Sequence, residues 1–107
     1  MNLFGLFGSK LDYEKLMAQG AVVVDVRSQG EFSSGHVEGS KNISLEKIQG
    51  QANTIKNWNK PVILCCASGN RSGMAQNLLE RAGIECYNGG SWGSVARALA
   101  NLEAQKA

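Results

Sequence analysis

The sequence predicts an α/β fold, a central and mainly parallel sheet with helices on both faces. Three observations carry this. Apolar runs such as "AVVVDVR" (21–27) and "VILC" (62–65) have the unbroken hydrophobicity of strands covered on both sides. Segments with apolar residues at helical spacing separate the runs, and that alternation indicates parallel strands joined by crossover helices. The 107 residues, 43% of them hydrophobic, suit one domain with an ordinary core.

Taken in order, residues 1–10 ("MNLFGLFGSK") form an apolar tail ahead of a domain spanning residues 11–107. The tail lacks the basic start and longer apolar stretch of a secretory signal. It is also far short of the ~20 residues that cross a bilayer. It is expected to fold over the domain; a weak membrane-surface or partner-docking patch is the less favoured reading. The lack of a signal favours a reducing cytoplasm, which suits a free thiol. "LDYEKLMAQG" reads as a short helix, with Asp12 as N-cap, Leu16 and Met17 facing inward and Gly20 past its end. After the strand at 21–27, "SLEKIQGQANTIKNW" places Leu45, Ile48, Ala52, Ile55 and Trp58 at helical spacing. Ser44 is its candidate cap and Gly50 its weak point. Pro61 introduces the strand at 62–65. "SGMAQNLLERAG" reads as an amphipathic helix with Met74, Leu78 and Leu79 toward the core and Gly83 as its stop. "IECYN" is a third strand, "GGS" a turn, and Trp92 to Leu102 the last helix.

Composition excludes several functions. The 11 basic residues are scattered and the formal net charge is +2, so nothing marks a nucleic-acid or anionic-membrane surface. Three cysteines, two of them adjacent, do not make a disulfide framework. With His36 the only histidine and no second Cys-x2-Cys pair, a tetrahedral zinc site would lack ligands.

The stretch "VILCCASGNRSGMAQNLL" (Val62–Leu79) holds the chemistry. Ligands of parallel α/β sheets bind outside the carboxyl ends of the strands, and the loop from Cys66 to Arg71 lies at one such end. A loop curling from a buried strand into a helix points its backbone N–H groups inward. With the helix dipole these make an anion cradle. Gly69 can supply an unusual backbone conformation, Arg71 a permanent cation at the rim, and Ser72 a hydroxyl for the helix end or the sulfur. A cysteine opening the loop is expected to be a thiolate at neutral pH without a histidine base. Counted from Cys65 the pattern is C-x5-R-S, a phosphatase spacing; counted from Cys66 it is C-x4-R-S. Side chains alternate along a strand, so the two thiols face opposite ways. Cys65 then packs against a helical layer, and Cys66 is the first residue free to face the loop centre. The tighter ring matches one sulfur atom carried on cysteine better than a phosphate. A phosphatase would also want a mobile acid, yet Asp25 lies within a strand and Asp12 starts a distant helix. Both points favour Cys66.

From about Leu11 to Leu102 the sequence resembles the rhodanese (sulfurtransferase) domain. The matching pieces are "VVDVRSQGEFSSGHVEGSKNI" (Val23–Ile43), "PVILCCASGNRSGMAQNLL" (Pro61–Leu79) and "YNGGSWGS" (Tyr87–Ser94), in that order. The resemblance implies a cofactor-free enzyme with Cys66 as nucleophile. Such domains take a sulfane sulfur from a donor such as thiosulfate, hold it as a cysteine persulfide and pass it to cyanide or a thiol. A protein persulfide could also be the donor. The backbone of Ala67, Ser68, Gly69, Asn70 and Ser72 would then stabilise the sulfur, and Arg71 would help bind an anionic donor. Cys65 departs from the family, which commonly has an aromatic residue or histidine there.

Other residues are expected to be structural. Cys65 and Cys86 read as core thiols, Asp25 and Arg27 as a salt bridge tying a turn, His36 as a hydrogen-bonding turn residue and Trp58 as a core or edge residue. Two roles fit Trp92 equally, a pocket wall or an anchor for the last helix. Two alternatives to the sulfurtransferase remain: a carrier that takes sulfur only from a dedicated partner, and a phosphatase or arsenate reductase using Cys65.

Overall fold

The computed structural model of the protein describes residues 11–106, so the expectations for the apolar tail lie outside the described residues. Helix α1 (Tyr13–Ala18) begins where the Asp12 carboxylate accepts a hydrogen bond from the Lys15 N–H at 3.1 Å. Strand β1 (Val22–Asp25) is followed by α2 (Gln29–Ser34), β2 (Lys41–Asn42) and α3 (Leu45–Ile48). A short 3-10 turn leads from α3 into α4 (Ala52–Asn57). Strand β3 (Val62–Cys66), α5 (Asn70–Arg81), β4 (Cys86–Ser91) and α6 (Trp92–Lys106) complete the order.

The four strands form one sheet in the order β2-β1-β3-β4, and every pairing is parallel. β3 lies between β1 and β4, and all five of its residues are buried. Its alternating side chains feed two cores. Leu64 and Cys66 join Val24, Ile48, Ile55, Ala75 and Leu79 on the α3–α4–α5 face. Ile63 and Cys65 join Leu16, Val23 and Val95 on the α1–α6 face. Continuous hydrophobicity was therefore the right signal for a strand with no solvent face.

Several expected details differ. Met74 is not a core residue; it is 57% exposed. Helix α5 starts at Asn70, and this phase turns Ser72, Ala75 and Leu79 inward at i, i+3 and i+7. Two small residues at the sheet-facing end let the helix approach β3 closely, and Leu78 is only half-buried. The pattern from 44 to 58 is broken at Gln49–Gln51, around Gly50, and Ser44 caps α3 by backbone position alone. Sequence reading missed α2, which has no buried residue, and β2, which has two residues.

The "GGS" segment is part of β4, not a turn after it. Leu64 pairs with Asn88 but Cys65 pairs with Gly90, so Gly89 is an extra residue that bulges the strand. A Cβ on Gly89 would lie 2.6 Å from Val95 Cγ2 and 3.2 Å from the Leu64 carbonyl oxygen. The space belongs to the α6 core. Gly89→Ala is expected to destabilise the fold by about 2 kcal/mol through overpacking, read as a lowered urea midpoint with an unchanged slope.

Candidate active site

The site lies where β3 ends and α5 begins. Gly69, the residue before the helix, has φ of +100°, a left-handed conformation that glycine adopts without strain. That turn folds the loop back over its own origin. The Gly69 N–H donates to Cys66 Sγ at 3.0 Å and the Ser72 N–H at 3.4 Å, with Ser72 Oγ also at 3.4 Å. The ring from Cys66 to Ser72 is thus closed by the sulfur itself.

Burial alone would push the Cys66 thiol up. Hydrogen bonds from the Ser72 hydroxyl and from the backbone N–H groups of Ser72, Ser68 and Gly69 outweigh it and hold the thiol below its ordinary value. Cys65, one residue earlier, faces the opposite layer, where burial and the nearby Asp25 charge push it up to about 12. Cys86 is also pushed up to about 12 by burial. One backbone step therefore separates a thiol held below its ordinary pKa from one pushed well above it.

Asn88, which sequence reading did not single out, holds the loop from β4. Its Nδ2 donates to the Gly69 carbonyl at 3.0 Å, and its Oδ1 accepts from the Gly90 N–H at 2.9 Å and from Ser72 Oγ at 2.7 Å. The Ser72 proton thus has two acceptors in reach, Asn88 Oδ1 and the sulfur. A protonated Cys66 can donate to Ser72 Oγ; an ionised Cys66 can accept a hydrogen bond from the hydroxyl. Sequence reading quoted Asn88 within the matching segment Tyr87–Ser94 but gave it no role; the β3–β4 register reveals one.

Arg71 does not project freely from the rim. Its two terminal nitrogens donate to Glu31 Oε1 and Oε2 at 2.8 and 3.0 Å, a bidentate pair about two-fifths exposed. Glu31 Oε1 also accepts the Ser28 N–H at 2.9 Å in a capping box that opens α2. The Arg71 guanidinium, then the Ser28 donors, hold the Glu31 carboxyl down at about 2. Sequence reading quoted Glu31 within a matching segment but gave it no role, since 40 residues separate it from Arg71. Ala67, Ser68 and Asn70 are exposed along the rim.

The residues expected to be structural hold neighbouring parts together. Arg27 makes a bidentate contact with buried Asp25 at 2.8–3.0 Å and donates to the Gly35 carbonyl at 2.6 Å. Its guanidinium lies 4.9 Å from the Trp92 ring centre, and Trp92 reaches back over Gly35. Trp92 thus anchors the start of α6 against this ion pair. His36 is exposed, stacks on Phe32 and places Nδ1 2.8 Å from the Phe32 carbonyl oxygen. Trp58 packs against the α4–α5 core. Two surface cavities, of about 230 and 180 Å³, lie elsewhere, and Cys66 lines neither. Among the described residues no helix is long and apolar enough to cross a membrane.

Comparison with known proteins settles the family of the chain. The pattern of the Rhodanese-like domain matches residues 9–100. The chain belongs to the rhodanese-like domain family. It is 40% identical over 83 residues to the uncharacterized protein YqhL of Bacillus subtilis, covering 73% of this chain and 65% of that one. It is 36% identical over 73 residues to the thiosulfate sulfurtransferase GlpE of Pseudomonas fluorescens, covering 66% of this chain and 64% of that one. The alignments thus span just under two thirds of the length of these relatives. Among solved structures, a rhodanese with anions from E. coli superposes with a TM-score of 0.65 at 28% identity, over 71% of this chain and 92% of that one. The parallel sheet with helices on both faces is a rhodanese-like fold.

The two thiol environments make a prediction. In the native protein iodoacetamide is expected to modify Cys66 alone, with a rate midpoint below the ordinary thiol pKa and Cys65 and Cys86 untouched. Ser72→Ala should move that midpoint upward and slow modification at neutral pH roughly tenfold, the effect of losing one hydrogen bond to a charged group. The signs for stability follow. A depressed Cys66 stabilises the fold at high pH, a contribution lost as pH falls through its folded pKa. The raised Cys65 and Cys86 act oppositely, because the unfolded chain ionises first. Stability is therefore lost as pH climbs past the ordinary thiol value toward about 12.

Proposed function

We propose that the protein is a sulfurtransferase with Cys66 as nucleophile and persulfide carrier. The observation that carries this reading is the ring of donors on Cys66 Sγ, the N–H groups of Gly69 and Ser72 together with the Ser72 hydroxyl. The Cys66 thiolate attacks the sulfane sulfur of the donor, a new S–S bond forms at Cys66, and the old one breaks. With thiosulfate the leaving group is sulfite; with a persulfide it is a thiolate. Attack of cyanide or a thiol on the outer sulfur then releases thiocyanate or a new persulfide and restores the Cys66 thiolate.

The backbone N–H groups from Ala67 to Ser72, at the N-terminus of the 12-residue α5, stabilise the negative charge on the sulfur before and after transfer. Arg71 adds a cation whose field reaches the same atom. No step calls for a metal or an organic cofactor. A reducing compartment such as the cytoplasm keeps the thiol available, in keeping with three free cysteines.

The test is intact-protein and peptide mass spectrometry of wild type, Cys65→Ser and Cys66→Ser after exposure to thiosulfate or a small persulfide. One added sulfur on Cys66 is expected, retained in Cys65→Ser and lost in Cys66→Ser. Sulfur that follows Cys65 instead, or none from any donor, would overturn the assignment. Loading solely from a partner protein would make the chain a carrier rather than a stand-alone enzyme. Ser72→Ala should lower the transfer rate by roughly tenfold to a hundredfold.

A further inference from the structure

The charges around Cys66 compensate one another. Arg71 pairs with Glu31 at the loop, and Arg27 pairs with buried Asp25 at the end of β1. Arg27 and Arg71 supply two positive charges, and Asp25 and Glu31 two negative ones. Both pairs are bidentate and closed. The loop itself, "ASGN", contributes no charged side chain. Once Cys66 ionises, this cluster carries one net negative charge, opposed by the partial charge of the helix N-terminus.

Thiosulfate is a dianion whose sulfonate needs a cation or several free donors near the sulfur. The guanidinium of the loop already turns two of its N–H donors to Glu31, whose carboxylate offsets its charge. From this we infer that Glu31 is a specificity-determining residue, and that the site is built for a thiol persulfide rather than for the thiosulfate dianion. The inference rests on the sulfurtransferase reading. In the favoured reaction the Cys66 thiolate attacks the terminal sulfur of R–S–SH. The proton stays on the transferred sulfur and R–S⁻ leaves, so one negative charge enters the step and one leaves it. The thiosulfate reaction instead brings a dianion up to a thiolate and expels a dianion, against the negative charge of Glu31.

Glu31→Gln isolates this charge. The amide oxygen can still accept from the Ser28 N–H and from Arg71, so the α2 cap and the loop contact survive while the negative charge disappears. The experiment measures kcat and KM for Cys66 persulfide formation from thiosulfate and from cysteine persulfide, in wild type and Glu31→Gln. Wild type is expected to load from cysteine persulfide at least tenfold more efficiently than from thiosulfate. Glu31→Gln should raise kcat/KM for thiosulfate by about fivefold to tenfold, mainly through KM, and leave cysteine persulfide within about twofold. The gain should fade near 1 M salt, where the screening length is about 3 Å, and vanish in Glu31→Gln/Arg71→Gln. A purely structural role for Glu31 would lower both donors together and show no salt dependence.

Thiosulfate loading as well as cysteine persulfide in wild type, or no thiosulfate gain in Glu31→Gln, would overturn the inference and leave Cys66 sulfur transfer intact. Neither donor loading Cys66 in wild type would overturn the sulfurtransferase reading and this inference with it.

Discussion

The constraint on which the rest depends is the burial of β3 on both faces and both edges. A strand paired with β1 and β4 and covered by two helical layers has no freedom to slip, because a one-residue shift would exchange its two cores. That fixed register decides which of two adjacent cysteines faces α5. It also sets the point at which the chain must leave the sheet, and so the position of every N–H group in the loop. The activation of Cys66 is thus a property of the sheet as much as of the loop.

Around this centre the protein spends charge conservatively. Buried Asp25 is matched by Arg27, which reaches on to the Gly35 carbonyl and the Trp92 ring and ties three connections into one cluster. At the rim Glu31 matches Arg71 while capping its own helix, so α2 and the site loop are braced against each other. Beside these closed pairs, the backbone dipoles at the start of α5, short-ranged and directional, face an incoming anion.

Much of this was legible in the sequence. Unbroken hydrophobicity marked β1 and β3, Asp12 marked the start of α1, and strand alternation separated Cys65 from Cys66. Other features were not legible, for definite reasons. α2 buries nothing and β2 has two residues, so neither leaves a periodic signal. Met74 was misread because the helical phase is set by where α5 begins, and that depends on the left-handed Gly69. The Gly89 bulge depends on a close approach of Val95 from α6, and the Asn88 clamp and the Glu31–Arg71 pair join residues 16 to 40 positions apart. Long-range partners of a loop are set by topology, and a single sequence displays only its local half.

The back-to-back cysteines bear on how long a bound sulfur atom would be kept. Resolution of a persulfide inside one chain needs a second thiol that can reach it. Cys65 is turned through the sheet into the opposite core. Cys86 is buried opposite Val62, four residues back along β3 and roughly 13 Å from the loop. A sulfur atom carried on Cys66 would therefore have no internal exit. Its residence time would be governed by encounter with an outside nucleophile, and the domain would act as a one-atom store emptied by whatever collides with it.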